Sequence, residues 1–303
     1  MIELIALKKQ YGDKVVVNGV TSTIQPGRVT GFLGPNGAGK STTMRMIMGF
    51  DSPTDGRALV NGRRYSESRA PLTEVGALLD AKAVHPGRTA REHLLSVAAT
   101  HRIGKSRVAE VIELTGLEAV AGRRVGTFSL GMGQRLGIAT ALLGDPGILI
   151  LDEPVNGLDP DGVRWVRQLT RRLADEGRTV FLSSHLMSEM AVTADHLLII
   201  GRGEVIADAP ISDILAKAGT SMVRVRTPRA PELAGLLEGR ATDVETVRGD
   251  GLLITGLEAE QIADLAAAQG IPLHELTTVE TSLEDAYTEL TRNHVEYQSE
   301  VNR

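Results

Sequence analysis

A chain of 303 residues has room for one large domain and a smaller one. Hydrophobic residues at 42% and charged residues at 23% exclude a disordered chain, and the absence of cysteine excludes a disulfide framework or a thiolate zinc site. The net charge of −5 is uneven, with 7 Lys/Arg against 15 Asp/Glu in residues 221–303 and 26 against 23 in residues 1–220, so neither part offers the basic surface that nucleic acid requires.

From the N-terminus, MIELIALKKQ carries acidic Glu3 and lacks the charged-then-apolar order of a signal peptide; residues 2–7 predict a strand. VTGFL at 29–33 predicts another, a glycine-rich turn follows, and Ser41–Phe50 has the apolar spacing of a helix. Residues 89–142 read as mostly helical, with breaks at 103–104 and 122–127. Strands and helices then alternate: ILIL at 148–151, a helix over 161–175, RTVFLSS at 178–184, a short helix at 188–194 and HLLII at 196–200. Apolar strands alternating with helices predict a parallel sheet covered on both faces, interrupted in sequence by the helical insert. No apolar run approaches the ~20 residues of a bilayer crossing, so the chain is expected to be cytoplasmic and to reach a membrane only through a partner.

The composition shifts near Gly219, which predicts a domain boundary. Beyond it the pattern is strand 221–226, helix 230–238, strands 242–247 and 251–255, helix 258–269, strand 272–277 and a final helix over 281–291. That β-α-β-β-α-β order followed by a helix is the ferredoxin-like split βαβ arrangement. HVEYQSEVNR, at the end, reads as a frayed tail.

Gly34-Pro-Asn36-Gly37-Ala-Gly39-Lys40-Ser41 fits the phosphate-binding loop pattern GxxxxGK[ST] and lies between a predicted strand and a predicted helix, as that loop must. Its glycines let N–H groups turn inward around phosphate oxygens, and the helix start, Ser41–Thr42, adds a favourable dipole. Lys40 would supply a cation to the β and γ phosphates, and the Ser41 hydroxyl a magnesium ligand. The competing reading is an ordinary glycine-rich αβ turn. Further on, Gly147-Ile-Leu-Ile-Leu-Asp152-Glu153 is an apolar strand ending in two carboxylates. Such a strand brings Asp152 to the sheet's edge, where it can hold Mg²⁺, and Glu153 one residue beyond, where it can polarise an attacking water. Without a phosphate loop upstream, the same pair would merely start a turn.

Between these lies Phe128-Ser129-Leu130-Gly131-Met132-Gly133-Gln134-Arg135, opening a helix with apolar spacing. Here the sequence resembles the ATP-binding cassette family. The segment is similar to that family's LSGGQ signature in its SLGM variant, Asn156-Gly157-Leu158-Asp159 resembles the D-loop, His185 sits at the switch-histidine position, and Tyr11 where an aromatic ring stacks on adenine. Tyr11 also reads as packing on an edge strand and Ser129 as a helix N-cap, a role compatible with meeting phosphate. Three positions depart from the pattern: Leu130 stands for Gly, Met132 for Gln, and Asp80, six residues before Pro86, for the glutamine of the Q-loop. An aspartate can ligate Mg²⁺ but has no amide donor to orient water.

The resemblance, which covers residues 1 to about 220, implies an α/β P-loop NTPase with a mixed, mainly parallel sheet over 1–219 and a helical subdomain at about 85–142; the element pattern adds a ferredoxin-like α+β domain over 220–303. The resemblance also implies an ATPase that takes ATP and Mg²⁺, forms a homodimer around ATP, and drives a separate membrane-spanning permease from the inner face of the membrane. Within it, Glu153, His185 and Lys40 would be catalytic, Ser129, Gly131 and Asp159 would complete the partner's nucleotide site, and Ser41, Asp152 and Asp80 would face the metal. The C-terminal segment Ser282–Thr291 resembles the tail of ABC-2 type exporters, which favours export of drugs, antibiotics or lipid-like molecules. The alternatives are a soluble cassette ATPase acting on a non-transport partner and a nucleotide-binding regulator that does not hydrolyse. Only 89 positions separate Lys40 from Ser129, too few for the long coiled coil of chromosome-type ATPases, and the presence of Glu153 and His185 argues against a silent regulator.

Overall fold

Strands that are apolar on both faces are stable only in the middle of a sheet covered by helices. The computed structural model, which describes residues 1–80, 83–218, 222–247, 251–279 and 282–291, places four such strands there. The chain opens with β1 (Ile2–Tyr11), β2 (Lys14–Ile24) and β3 (Arg28–Leu33), then α1 (Lys40–Ile47), β4 (Asp55–Val60), α2 (Pro71–Glu74) and β5 (Val75–Leu78). The helical insert follows as α3 (Ala90–Thr100), α4 (Lys105–Leu114) and α5 (Leu130–Leu142). Then come β6 (Ile148–Leu151), α6 (Pro160–Asp175), β7 (Thr179–Ser183), α7 (Met187–Thr193), β8 (His196–Gly201), β9 (Glu204–Pro210) and α8 (Ile211–Ala218).

The main sheet has the order β5-β6-β7-β3-β8-β9, parallel except for the antiparallel edge strand β9. Strands β6, β7 and β8 are buried along their whole length, and β3 at all but its first residue. Phe32 of β3 and Phe181 of β7 stack across the centre with ring centroids 5.0 Å apart. Both are fully buried, and each such burial is worth about 1.5–3 kcal/mol. From β3 the chain passes to β5 at one edge, while β7, beside β3, connects to β8 on the other side; the crevice at the carboxyl ends of strands whose connections part in this way, a switch point, is where open α/β sheets bind ligands.

A second sheet, β2-β1-β4, is antiparallel. Only the first part of β1 was evident as a strand in the sequence. Lys14–Ile24 alternates irregularly between exposed and buried positions, as a half-solvated strand does. In the insert, Thr89 and Glu92 form a reciprocal cap at the start of α3, and α5 lies directly on β5. That close approach needs Gly76, where a Cβ would fall 2.0 Å from the Ala141 carbonyl oxygen.

The chain divides into two compact units, Met1–Ile211 and Ser212–Arg292, a few residues ahead of the composition shift; Gly219 itself lies outside the described residues. The second unit contains β10 (Met222–Arg226), α9 (Ala230–Leu237), β11 (Asp243–Val247), β12 (Gly251–Thr255), α10 (Ala259–Ala268), β13 (Glu275–Val279) and α11 (Leu283–Thr291). Its antiparallel order, β11-β12-β10-β13, is that of the ferredoxin-like fold expected from the sequence. Leu233, Leu237 and Ile262 share one buried core with Val223, Val225, Leu252 and Ile254. The last strand runs over Glu275–Val279 instead of 272–277; Pro272 itself has no N–H to give a ladder. The predicted tail at 294–303 lies outside the described residues. Among the described residues, no helix is long and apolar enough to cross a membrane.

Gly76→Ala is expected to lower stability by about 1–3 kcal/mol, the usual cost of overpacking, read as a lower urea midpoint at unchanged slope. An unchanged midpoint would mean that α5 is not seated on β5.

Candidate functional site

Backbone N–H groups at a helix start have no intrahelical partner, and α1 begins at Lys40 directly after Gly39, whose φ of 104° turns the chain into the helix. A cleft of about 210 Å³ opens there, lined by Val16, Asn36, Gly37, Gly39, Lys40, Ser41, Thr42, Asp152 and Glu153. The loop after β3 and the end of β6 therefore meet, as the sequence predicted; Val16, from β2, was not foreseen. The Lys40 ammonium donates to the carbonyl oxygens of Gly34 at 2.6 Å and Pro35 at 3.3 Å. Burial pulls its pKa below the ordinary lysine value, against the opposing pull of the Glu153 and Asp152 carboxylates.

The two carboxylates are held differently. Asp152 Oδ1 accepts from the Ser183 hydroxyl at 2.5 Å, while the Glu153 N–H donates to the same Ser183 oxygen at 2.8 Å. Ser183 ends β7, so one hydroxyl ties both acids to the neighbouring strand. Glu153 has φ of 49°, a left-handed backbone that costs a non-glycine residue about 1–3 kcal/mol. Its carbonyl accepts from Gln134 Nε2 at 2.8 Å, and its Oε2 lies 2.7 Å from His185 Nδ1. The His185 contact brings the predicted histidine to the predicted acid. Ser183 and Gln134 went unread in the sequence; the available signals were a hydroxyl two residues before His185 and an amide five residues after Ser129, beside Arg135.

Other predicted residues lie away from the cleft wall. Ser129 is exposed and caps α5, its Oγ accepting from Met132 N–H at 3.2 Å. Leu130 seats on Gly157, where an added Cβ would come 2.1 Å from its Cδ2, and Gly131 lies beside Leu158. Signature and D-loop thus pack together within one chain. Asp159 spends Oδ1 on capping α6 through Gly162 N–H at 2.8 Å. Arg135, under the ring of Trp165 at 4.5 Å, donates to Thr115 O and ties α5 to α4 and α6. Tyr11 is 48% exposed at the end of β1, with its hydroxyl donating to Asp51 at 3.2 Å and the Lys9 ammonium 4.8 Å from its ring centre. Asp80 is exposed, two residues past β5, and does not line the cleft, although β5 reaches β6 through Asp152 N–H and Leu78 O at 2.8 Å.

Among the described residues there is no cluster of three His, Cys, Asp or Glu side chains able to hold a metal. The Ser41 hydroxyl and the Asp152 carboxylate are nevertheless hard oxygen donors on one wall of the cleft. Magnesium is commonly held by one or two such groups plus phosphate oxygens and water, so the donor set suits a nucleotide-borne magnesium better than a protein-caged ion.

Residues 17–156 match the family described as ABC transporter, and residues 221–284 match a domain of unknown function, DUF8746. The chain is 36% identical over 300 residues to the bacitracin transport ATP-binding protein BcrA of Bacillus licheniformis, covering 96% of this chain and 97% of the relative. It is 37% identical over 208 residues to the lantibiotic transport ATP-binding protein SrtF of Streptococcus pyogenes, covering 69% of this chain and 90% of that one. A dimeric bacterial ABC transporter cassette superposes with a TM-score of 0.64 at 25% identity, over 70% of this chain and 99% of that chain. Similarity to BcrA runs through both units, well beyond what a shared ATP-binding fold requires: the chain belongs to the ATP-binding cassette transporter family, among its ATPase subunits.

Proposed function

We propose that this ATPase is the motor of an exporter, in which two copies close around two magnesium-bound ATP molecules and pass the motion to a separate membrane permease. The observation that carries the reading is the composition of the cleft. It offers a phosphate loop and two carboxylates, yet no residue of 128–135 lines it. Ser129 instead presents an exposed helix start, a natural anion site, which fits a phosphate held by a second copy. The likeness to a dimeric cassette supports the same pairing. Relatives named for bacitracin and lantibiotic transport support an antibiotic as cargo, within the wider class of drugs and lipid-like molecules. The chain would work at the inner face of the membrane through its permease.

In this reading the N–H groups of the loop at 34–42 take the phosphates, and Lys40 exchanges its carbonyl partners for the stronger phosphate oxygens. Tyr11 offers its exposed ring to adenine. Ser41 and Asp152 would hold magnesium, which neutralises charge on the β and γ phosphates. Glu153 accepts a proton from the water that attacks the γ-phosphorus; the bond to ADP breaks, and phosphate and ADP leave. A proton on Nδ1 lets His185 donate to Glu153 Oε2, and a proton on Nε2 lets it donate to a γ-phosphate oxygen.

Glu153→Gln preserves shape but cannot take that proton, so it is expected to bind ATP normally and hydrolyse it about 10²–10⁴-fold more slowly. Trapped ATP should hold the pair together: light scattering should show a dimer with Mg²⁺-ATP and a monomer with ADP. Adding Ser129→Arg or Lys40→Ala should abolish the dimer. A monomeric Glu153→Gln protein at high concentration with ATP would sink the two-copy site.

Asp80→Ala tests the remaining metal assignment. If Asp80 helps hold magnesium, the variant needs more Mg²⁺ for half-maximal hydrolysis while nucleotide affinity is retained; identical Mg²⁺ titrations would remove Asp80 from the site.

The two domains are proposed to be independent, with every nucleotide-site residue upstream of Gly219. A chain ending after Gly219 is expected to remain folded and to bind ATP. Loss of binding in that shortened, monodisperse protein would show that the second domain is required.

A further inference from the structure

Among the proposed site residues that carry a side chain, only Glu153 has a left-handed backbone. Such a conformation persists only where the surroundings hold it from more than one side. Here the peptide groups on both sides are held: the Glu153 N–H by Ser183 Oγ at 2.8 Å and the Glu153 carbonyl by Gln134 Nε2 at 2.8 Å. Gln134 is 5% exposed, in a stretch of α5 where Leu136, Ile138 and Ala139 are fully buried. A buried amide among apolar neighbours is costly unless paired, and Glu153 O is the partner recorded for its Nε2.

We infer that Gln134 is a positioning residue for hydrolysis: its amide holds the backbone of Glu153 so that the carboxylate stands at the water's place in the cleft. The inference rests on the reading of Glu153 as the proton acceptor. It adds a consequence, because Gln134 lies on the helix whose first turn is capped by Ser129. A displacement of α5, when Ser129 meets the partner's nucleotide, reaches Glu153 of the same chain through one side chain. The helix that senses the other site thereby aims the base of its own.

Gln134→Met keeps length and burial but removes the donor. In the full chain with Mg²⁺-ATP it is expected to lower kcat about 10–100-fold, since an ångström-scale misplacement of a catalytic group has that effect, while KM and ATP affinity stay within about twofold. The Ser129-dependent dimer formed by Glu153→Gln with ATP should persist when Gln134→Met is added. The residual hydrolysis of Glu153→Gln should not fall further, because a residue acting through Glu153 has nothing left to position. Should Gln134→Met fail to melt cooperatively, Gln134→Leu, which likewise has no donor, carries the same test. A wild-type kcat in either folded variant overturns the inference while leaving Glu153 as the base. An equal fractional loss with Glu or Gln at 153 also overturns it, by showing a general structural role. Wild-type hydrolysis by Glu153→Gln alone would instead overturn the reading on which it rests.

Discussion

An ammonium group with as little exposure as Lys40 must be compensated from within, because the charge loses water and only close partners return that energy. Two carbonyl oxygens of its own loop do so, with Asp152 and Glu153 adding a field that favours the charged form. Carbonyls are weaker partners for a cation than phosphate oxygens, so the cleft is predisposed toward a polyphosphate. The arrangement exists only because the loop folds tightly against the sheet. A Cβ at Gly34 would meet the Ile200 carbonyl oxygen at 2.5 Å, and one at Gly39 the Val16 carbonyl oxygen at 2.7 Å. Glycine at these places is a packing requirement as much as a conformational one.

The remaining groups take their positions from sheet register. Phe181 of β7 pairs with Thr30 of β3 on one side and Ile150 of β6 on the other, so the three strands run level and end together. The phosphate loop, the two carboxylates, Ser183 and His185 all follow from those ends. Distances among them are consequently set by backbone ladders and by the Phe32–Phe181 stack, which are stiff, and only secondarily by loops. Helix α5 enters the same system from the insert. It rests on β5, is tied by Arg135 to α4 and α6, and reaches the Glu153 carbonyl through Gln134.

The second unit solves burial in another way. Its strands are short, antiparallel and covered on one face by α9 and α10, whereas the central strands of the first unit are buried on both faces. A two-faced parallel sheet suits a switch-point crevice; a one-faced antiparallel sheet leaves its other side for solvent or a neighbour. None of the proposed nucleotide-site residues lies in this second unit.

Much of this was legible in the sequence because it depends on local rules. GxxxxGKS between an apolar strand and a helix, and ILIL followed by two acids, specify both element type and chemistry within a few residues. The ferredoxin-like order of the second unit was likewise readable, because each element carries its own periodicity and turn residues. The half-solvated strand Lys14–Ile24 was missed, since its irregular alternation between exposed and buried positions weakens the period on which such reading relies. Tertiary structure alone decided which distant residues meet: that Ser183 links Asp152 to Glu153, that Gln134 holds Glu153 in a left-handed turn, and that Ser129 stands away from the cleft. The Ser183 and Gln134 contacts join residues separated by whole elements, and their geometry follows from strand order and helix seating, quantities that no local pattern encodes; the Asp159 cap is local, spanning three residues.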